Sequence, residues 1–347
     1  MRYKRALALV LALAMALTLA GCGEEERHDV QVVAMDTVMS LTAYGSNGEA
    51  GLDAATAVIN ALDAMLDPER QGSAVYNLNN SQGTPVSVTG QIAEMLSVAG
   101  TVYTQSNGAL DLTVYPLVKA WGFIDAQYRV PSDSEITGLL ANVGFDKVSI
   151  NRMSDADTSL VTLPSGTELS FASVAKGCAA KYAAQAMANV GVTSAIISLG
   201  GNVQTLGLRP DGSNWNVVVQ DPENTNSYVG ILSVGETAVV TSGGYLRYFV
   251  DGDGNRWTHI IDPSDGFPVE NGLLSATVIC ENGTYADALS TALCVMGEDD
   301  AKKFYKNNSG FEIILITDDQ RIVVSEGVRD SFTLSNNDYS VESLSRR

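Results

Sequence analysis

The sequence is poor in histidine, cysteine and positive charge. Its 347 residues contain 2 histidines, 4 cysteines and 21 lysines and arginines against 40 aspartates and glutamates, which gives a formal net charge of −19. A surface this acidic repels nucleic acid, and the chain has no basic cluster that could track phosphates. We therefore exclude nucleic acid as a partner, and we expect an anionic substrate to need a cation beside it.

The cysteines beyond the N-terminal segment form no recognisable motif. Cys178, Cys280 and Cys294 include no C-x-x-C pair and have no histidine nearby. This pattern excludes both a disulfide framework and a zinc site. We expect buried thiols that behave as small apolar side chains, although export would permit one disulfide among them.

Common nucleotide-binding and nucleophile signatures are also missing. The segment "SLGGNVQTLG" at 198–207 fits neither a Walker loop nor a dinucleotide fingerprint, and "SGGY" is not the nucleophile elbow of a hydrolase. The segment "DGDGNRWTHIID" at 251–262 begins like an EF-hand loop. However, Arg256 stands where such a loop needs glycine, and Asp262 stands where it needs glutamate. We interpret this segment as a hairpin.

A short hydrophobic run at the N-terminus predicts export. Basic residues precede "ALALVLALAMALTLA", which is too short for a stable membrane span, and the run leads into "LAGC" at 19–22. This ending resembles the lipobox of bacterial lipoproteins. The resemblance implies that residues 1–21 are a signal peptide, that Cys22 is lipidated, and that residues 22–29 form a polar tether. The protein would then be anchored by lipid at the extracytoplasmic face of the cell membrane.

Hydrophobic periodicity predicts helices and strands that do not alternate regularly. Helical spacing predicts helices at 50–66, 90–108, 131–144, 174–191, 285–297 and 299–308. Most segments between 193 and 280 have the pattern of strands. This mixture indicates an α+β fold, with mixed sheets and packed helices in two intimately joined subdomains. The domain covers residues 30–335, and residues 336–347 are predicted to be a polar C-terminal tail.

One pair of residues points to a metal site. Asp287 and Thr291 are four positions apart in "YADALSTALC", so a helix places both side chains on one face. The alanines and leucines around them describe a mostly buried helix, where a carboxylate needs a partner. The two oxygens suit a Mg²⁺ ion that keeps water and phosphate oxygens as its other ligands. The same spacing also occurs on the polar surfaces of helices, so the pattern leaves both readings open.

The two histidines have different surroundings. His259 lies at the end of a strand-like run, just before an Asp-Pro turn, in "NRWTHIIDPSDGFPV" at 255–269. It is either a structural histidine or a group that titrates near neutral pH at the edge of a sheet, where ligand sites often form. His28 lies in a charged stretch near the N-terminus, and we interpret it as part of the solvated tether.

Seven segments, in order, resemble the ApbE family of FAD:protein FMN transferases. They are "MDT" at 35–37, "ALDLTVYPLVKAWGF" at 109–123, "SFASVAKGCAA" at 170–180, "SLGGNVQTLG" at 198–207, "TSGGYLRYF" at 241–249, "HIIDPSDGFPV" at 259–269 and "ADALSTALCVMG" at 286–297. The resemblance implies a T-fold-related architecture. It also implies that FAD is the substrate, that Mg²⁺ is required, and that FMN is moved to a Ser or Thr hydroxyl of an exported acceptor protein with release of AMP.

The resemblance also implies roles for individual residues. Asp287, Thr291 and a backbone carbonyl of the "FASVAKG" turn, aligned to Ser173, would hold Mg²⁺. His259 would lie beside the reacting phosphate and either accept the proton of the acceptor hydroxyl or steady the phosphoryl oxygens. The residues implied to contact FAD are Met35, Ala109, Leu110, Asp111, Ser170, Lys176, His259 and Ile260.

Two positions depart from the family pattern. Ser170 stands where the family usually has aspartate, and Glu69 stands four residues before Ser73, where many members have an aromatic ring that Tyr76 could replace. Both departures bear on the affinity for FAD. Two further functions also fit the sequence. One is hydrolysis of FAD to FMN and AMP at the same site, and the other is a lipoprotein that binds FAD without chemistry.

Overall fold

A nine-stranded sheet organises the part of the chain that the computed structural model describes, which is residues 25–152 and 158–347. Helices cover one face of this sheet and a smaller sheet covers the other. The predicted α+β class is therefore confirmed. Cys22 and the N-terminal hydrophobic run lie outside the described residues. Within those residues, no helix has the length and apolar character that crossing a membrane requires.

The strands are mostly antiparallel. In chain order they are β1 Arg27–Ala34, β2 Thr37–Tyr44, β3 Val86–Thr89, β4 Ser149–Arg152, β5 Thr158–Thr162, β6 Ala195–Leu199, β7 Asn202–Leu206, β8 Trp215–Gln220, β9 Tyr228–Val234, β10 Ala238–Gly243, β11 Tyr248–Val250, β12 Arg256–Thr258, β13 Leu273–Cys280, β14 Glu312–Thr317, β15 Arg321–Ser325, β16 Phe332–Leu334 and β17 Ser340–Leu344. The large sheet has the order β1-β2-β6-β7-β10-β13-β14-β15-β17. Only its β15–β17 pair is parallel. The smaller sheets have the orders β16-β9-β8, β3-β5-β4 and β11-β12.

The helices largely follow the predicted periodicity. They are α1 Gly48–Leu66, α2 Ala74–Asn79, α3 Gly90–Gln105, α4 Tyr115–Ala120, α5 Asp133–Leu140, α6 Ala175–Asn189 and α7 Gly283–Asn307, with 3₁₀ turns at Leu112–Val114, Phe145–Lys147 and Glu326–Val328. α7 leaves helical geometry at Gly297, where φ is 74°, so the two predicted helices are consecutive halves of one element. The six-residue helices α2 and α4 are too short for a 3.6-residue period to predict.

The large sheet is apolar on both faces because both faces are covered. Along β14, Ile313 and Leu315 point into the core beneath α1, α3, α6 and α7. Ile314 and Ile316 point into the second core, which is shared with β8, β9 and β16. The alternating side chains of a single strand therefore serve two cores.

A third, smaller core fixes the β11–β12 hairpin. The rings of Trp121 and Trp257 are 5.0 Å apart, and Phe249 lies 6.4 Å from Trp121, measured between ring centroids. The indole nitrogen of Trp121 also donates a hydrogen bond to the Gly266 carbonyl oxygen at 3.0 Å. These contacts attach the hairpin to the end of α4, and His259 follows directly after β12.

Two segments that we predicted to be solvated belong to the folded structure. The 22–29 tether prediction is corrected because β1 begins at Arg27 and pairs with β2, so His28 lies in a strand with its side chain 19% exposed. The 336–347 tail prediction is corrected because β17 pairs with β15 along its whole length. Edge strands have a solvent-facing side rich in polar residues, so their sequences resemble tails.

The three internal cysteines are free thiols. Cys178, Cys280 and Cys294 are all buried and unpaired, so the disulfide that export would permit is not formed among them. Burial raises the pKa of Cys178 and of Cys294 to about 12. Thiols in this state are poor nucleophiles, which agrees with the expectation of apolar packing.

We predict that Leu344→Ala lowers the free energy of unfolding by about 2–4 kcal/mol, because it leaves a cavity where a side chain only 4% exposed packs in β17. The matched control is Leu208→Ala, at a side chain 45% exposed, which should change stability by less than about 0.5 kcal/mol. Urea denaturation of both variants measures the difference. Equal, small effects would mean that the C-terminal segment is not part of the fold.

Candidate functional site

The helix α7 places Asp287 and Thr291 on one face, as their spacing predicts. The Thr291 hydroxyl donates to the carbonyl oxygen of Asp287 at 3.3 Å. The same hydroxyl lies 3.2 Å from Oγ of Ser242, near the end of β10. Asp287 is buried, with 2% exposure, whereas Thr291 is half-buried. The two side chains therefore lie at the junction of α7, β10 and the start of α6.

A hydrogen bond between helices fixes the Asp287 carboxylate. The backbone N–H of Gly177 donates to Oδ2 of Asp287 at 2.8 Å. A Cβ atom at residue 177 would lie 2.7 Å from the Asp287 Cβ and would also collide with the Gly283 carbonyl. Only glycine permits so close an approach. Within the described residues nothing donates a hydrogen bond to the other carboxylate oxygen, Oδ1.

The same hydrogen bond leaves a backbone carbonyl available. In a regular helix, the N–H of Gly177 would donate to the carbonyl oxygen of Ser173, four residues earlier. Here that N–H is directed to Asp287, and no described group donates to the Ser173 carbonyl instead. A carboxylate oxygen, a hydroxyl and a carbonyl without a described donor thus lie around the contact between α6 and α7.

These donors suit a hard cation. Oxygen ligands that include one carboxylate favour Mg²⁺, which keeps several waters and is completed by substrate phosphates. No group of three or more His, Cys, Asp or Glu residues that could hold a metal occurs in the described part of the chain. One carboxylate, one hydroxyl and one carbonyl oxygen form a set of hard ligands, without the nitrogen or sulfur ligands that transition metals prefer.

The imidazole of His259 is held in one tautomer. Its Nδ1 lies 3.1 Å from the carbonyl oxygen of Arg247, which also accepts the backbone N–H of His259 at 3.1 Å. Because a carbonyl oxygen only accepts, Nδ1 carries the proton and Nε2 has a free lone pair. The ring is half-buried, with its centroid 6.3 Å from that of Phe123 in an edge-on arrangement.

The surroundings of His259 keep it neutral. Burial is the largest cause, and the nearby positive charges of Arg247 and Lys176 add to it, so the pKa of His259 falls to about 4. Near neutral pH the ring is therefore a proton acceptor at Nε2. Lys176 is half-buried and its Nζ lies 3.4 Å from the carbonyl oxygen of Ala172, so its charge lies close to the start of α6.

Close packing at Gly244 brings the segment before His259 next to the strand end that contacts Thr291. A Cβ atom at Gly244 would lie 2.5 Å from Cγ2 of Thr258, the residue before His259. Gly244 is two positions after Ser242, which contacts Thr291. On the other side, Lys176 precedes Gly177, which binds Asp287. The residue before His259 therefore packs two positions from Ser242, while the side chain of Lys176, next to Gly177, is close enough to His259 to lower its pKa.

Successive strand ends extend the site along one edge of the sheet. Met35 and Asp36 form the two-residue turn between β1 and β2, with φ angles of 48° and 57°, and the Met35 N–H donates to Asp63 at 2.7 Å. The next turn along the edge, between β6 and β7, approaches Thr37 and accepts a hydrogen bond from the Thr241 N–H. Met35 thus lies on the edge that leads to Ser242.

Two of the three side chains in the 109–111 segment are buried and are not available to contact FAD. The Asp111 carboxylate is buried and accepts hydrogen bonds from the N–H and the hydroxyl of Thr113 and from the N–H of Phe145. Burial raises its pKa. Leu110 is 2% exposed, whereas Ala109 is half-buried. The Asp111 carboxylate and the Leu110 side chain are therefore structural, and a ligand could reach this segment only through Ala109 or the backbone.

Ser170 and Ile260 are also placed by backbone contacts. The N–H of Ser170 donates to the carbonyl oxygen of Leu112 at 3.1 Å, which joins the two segments implied to contact FAD. The Ser170 hydroxyl accepts the Ala172 N–H at 3.3 Å and helps to turn the chain toward α6. Ile260 is 6% exposed and packs in the main core, so its side chain is not available to a ligand.

The Glu69 carboxylate has a partner in the fold. It accepts a hydrogen bond from the hydroxyl of Tyr115, whose pKa is raised by burial and then by Glu69. Lys119 lies over the Tyr115 ring, 4.9 Å from its centroid, and pairs with Glu168. A polar cluster therefore stands where an aromatic ring was expected from the resemblance.

The sequence reading did not identify Ser242, Gly177 and Arg247 as site residues. Ser242 and Arg247 lie in the "TSGGYLRYF" segment that resembles the family, but the spacing of neither residue indicates a role in a site. The role of Gly177 depends on Asp287, which is 110 positions away. Arg247 binds the His259 ring through its backbone carbonyl, and a pattern of side chains cannot predict a backbone contact.

Comparison with known proteins identifies the relatives of this chain. A profile of the ApbE family matches residues 35–315. The FAD:protein FMN transferase of Escherichia coli K12 is 30% identical over 263 residues, which cover 75% of this chain and 74% of that protein. The corresponding Treponema pallidum protein is 28% identical over 344 residues, which cover 94% and 95%.

Solved structures give the same result. The crystal structure of the ApbE protein from Thermotoga maritima has a TM-score of 0.81 and 28% identity, and the match covers 88% of this chain and 99% of that one. The flavin transferase ApbE from Vibrio cholerae has a TM-score of 0.75 and 25% identity, covering 90% and 97%.

We predict that His259 keeps its neutral ring down to about pH 5 and is half-protonated near pH 4. An ordinary histidine takes up its proton near pH 6.5. The unfolded chain thus binds the proton first, so stability from this residue is complete above pH 6.5 and is lost as the pH falls toward 4. A ¹⁵N NMR titration of the imidazoles measures the pKa, and His259→Gln separates its signals from those of His28. A midpoint near 6.5 would contradict this prediction.

Proposed function

The chain belongs to the ApbE family and is a transferase, and we propose that it moves the FMN half of FAD onto a Ser or Thr hydroxyl of an exported acceptor protein, with Mg²⁺ as cofactor and AMP as the leaving group. The main support is the Asp287 carboxylate. Gly177 fixes one of its oxygens, and no described group donates to the other. The Thr291 hydroxyl lies one turn further along α7, and the neutral imidazole of His259 follows a strand that packs against Gly244, two positions after Ser242.

Three oxygens of this chain would hold the metal. They are Oδ1 of Asp287, Oγ1 of Thr291 and the carbonyl oxygen of Ser173. When bound, Mg²⁺ would neutralise charge on the pyrophosphate oxygens and so make the phosphorus easier to attack. The ion would also reconcile an anionic substrate with a protein whose formal charge is −19.

His259 is the proton acceptor in this proposal. Nε2 takes the proton from the acceptor hydroxyl while the hydroxyl oxygen forms a bond to the FMN phosphorus. The bond from that phosphorus to the bridging oxygen breaks, and AMP leaves with the electron pair. The carbonyl of Arg247 keeps Nδ1 protonated and so directs the free lone pair of Nε2 toward the reaction.

The positively charged side chain of Lys176 supplies binding energy for the substrate. The Lys176 ammonium lies close enough to His259 to oppose protonation of the imidazole. In sequence, Lys176 directly precedes Gly177, whose N–H binds the Asp287 carboxylate. A cation in this position would pair with a phosphoryl oxygen of FAD. The ammonium group thus serves the anionic substrate and also helps to keep the imidazole unprotonated.

We also propose that the protein is lipid-anchored through Cys22 at the extracytoplasmic face of the cell membrane. The "LAGC" segment after a short apolar run supports this location. An anchored transferase would act on exported acceptor proteins. Mass spectrometry of the membrane-extracted protein tests the proposal, because a diacylated N-terminal cysteine adds a characteristic mass and an unmodified Cys22 would contradict it.

One assay separates the candidate activities. The protein is incubated with FAD and Mg²⁺, with and without membrane proteins extracted from the same cells. Transfer gives AMP together with a fluorescent protein band in a denaturing gel. AMP with free FMN and no band would indicate hydrolysis, and unchanged FAD would indicate a carrier. Either of these two results contradicts the transferase proposal.

We predict that Asp287→Asn lowers the rate of AMP release by at least about a hundredfold, because the charge that attracts the cation is lost. The amide oxygen can still accept the Gly177 N–H, so the melting temperature should change little. Asp300→Asn is the matched control. Asp300 is exposed in the second half of α7 and pairs with Lys303, and its replacement should leave the rate unchanged. Wild-type turnover in Asp287→Asn would contradict the metal site.

A further inference from the structure

Exposed apolar side chains are concentrated around the hairpin that carries His259. Half of the large hydrophobic side chains that are exposed in the described residues lie in two short segments, 124–130 and 246–250. The segments are in contact, since the ring of Tyr128 stacks on Phe249 with centroids 5.2 Å apart. On a protein this acidic, a local cluster of exposed apolar groups indicates a surface for another molecule.

One edge of the hairpin is open. β11 pairs with β12 and with no other strand of the described chain. The His259 N–H donates to the carbonyl of Arg247, so the backbone of Arg247 faces β12. Because antiparallel pairing alternates, Phe249 also faces β12, while Tyr248 and Val250 turn their N–H and C=O groups outward. Those outward groups can accept a further strand.

Exposed apolar side chains occur at every second position from Leu246, two residues before β11, to Val250 at its end. Leu246 is 59% exposed, Tyr248 is 43% exposed and Val250 is 56% exposed. The guanidinium of Arg256 stacks on the Tyr248 ring, 3.8 Å from its centroid, and limits the motion of that ring. We call these three residues the acceptor edge. A row of apolar side chains beside unpaired backbone groups is the arrangement that binds extended peptides by β-strand addition.

We propose that an extended segment of the acceptor protein, with apolar residues near its reactive Ser or Thr, binds to the acceptor edge as an additional strand. This inference rests on the transfer function proposed above. A hydroxyl that gives its proton to His259 must reach the residue that directly follows β12. A chain bound along β11 runs beside Arg247, whose carbonyl fixes that imidazole, so binding and chemistry use neighbouring residues of one hairpin.

The test compares two matched triple variants of the full-length protein. One carries Leu246→Ser, Tyr248→Ser and Val250→Ser. The control carries Leu208→Ser, Val218→Ser and Tyr228→Ser, three side chains of the same types and similar exposure that lie far along the chain from His259. The acceptor protein is identified by mass spectrometry of the fluorescent band, and its unlabelled, folded form is then produced separately as the substrate, with FAD and Mg²⁺ saturating.

We expect the acceptor-edge variant to raise the KM for the acceptor at least about tenfold. Its affinity for FAD and its melting temperature should match those of the control variant. An unchanged KM would overturn the docking proposal and leave the transferase proposal intact. If the wild-type protein released AMP and FMN but never labelled a protein, the transferase proposal would fail, and the docking proposal with it.

A proline substitution separates strand addition from simple apolar contact. Tyr248→Pro removes an outward N–H without removing a hydrogen bond to β12, so it should raise the KM for the acceptor several-fold more than Tyr248→Ser does. Equal effects would overturn strand addition. Vesicles of phosphatidylcholine and phosphatidylglycerol test a membrane as the occupant. If the triple variant lost vesicle binding but kept its KM, the surface would contact lipid and the proposal would be wrong.

Discussion

The candidate site depends on a single hydrogen bond, from the N–H of Gly177 to Oδ2 of Asp287. It requires α6 and α7 to approach until no side chain fits at residue 177, where Gly283 and Asp287 of α7 occupy the space that a Cβ atom would take. The bond removes the normal helical partner of the Ser173 carbonyl. One contact thus orients the carboxylate, frees a second oxygen and sets the spacing of two helices on the sheet.

The sequence predicted the features that depend on local spacing. The 3.6-residue period predicted α1, α3, α6 and both halves of α7, and the mixture of elements predicted the α+β class. Asp287 and Thr291 were found together because positions four apart on a helix must share a face. His259 was found because a strand followed by an Asp-Pro turn places its last residues at a sheet edge. FAD was inferred as the substrate from the resemblance to the ApbE family, because residue spacing alone does not identify a substrate.

The remaining features depend on contacts between distant parts of the chain. The resemblance implied that Asp111 contacts FAD, and the structure shows that Thr113 and Phe145 donate hydrogen bonds to its carboxylate. Ser242 became a neighbour of Thr291 only when β10 packed against α7. The strand β17 looked like a solvated tail because an edge strand needs few apolar residues. Each of these features depends on which polar groups become hydrogen-bond partners when distant segments pack together, and no local sequence pattern predicts those partners.

The early start of β1 has a consequence for where the enzyme works. If Cys22 bears the lipid as we propose, the chain from it to Arg27 spans about 17 Å when fully stretched. A globular domain of this size is roughly 50 Å across, so the linker to the lipid would be shorter than the diameter of the domain. A domain anchored in this way would stay next to the bilayer surface. It would flavinylate proteins whose target hydroxyl lies within one protein width of the lipid, and more distant hydroxyls would be out of reach.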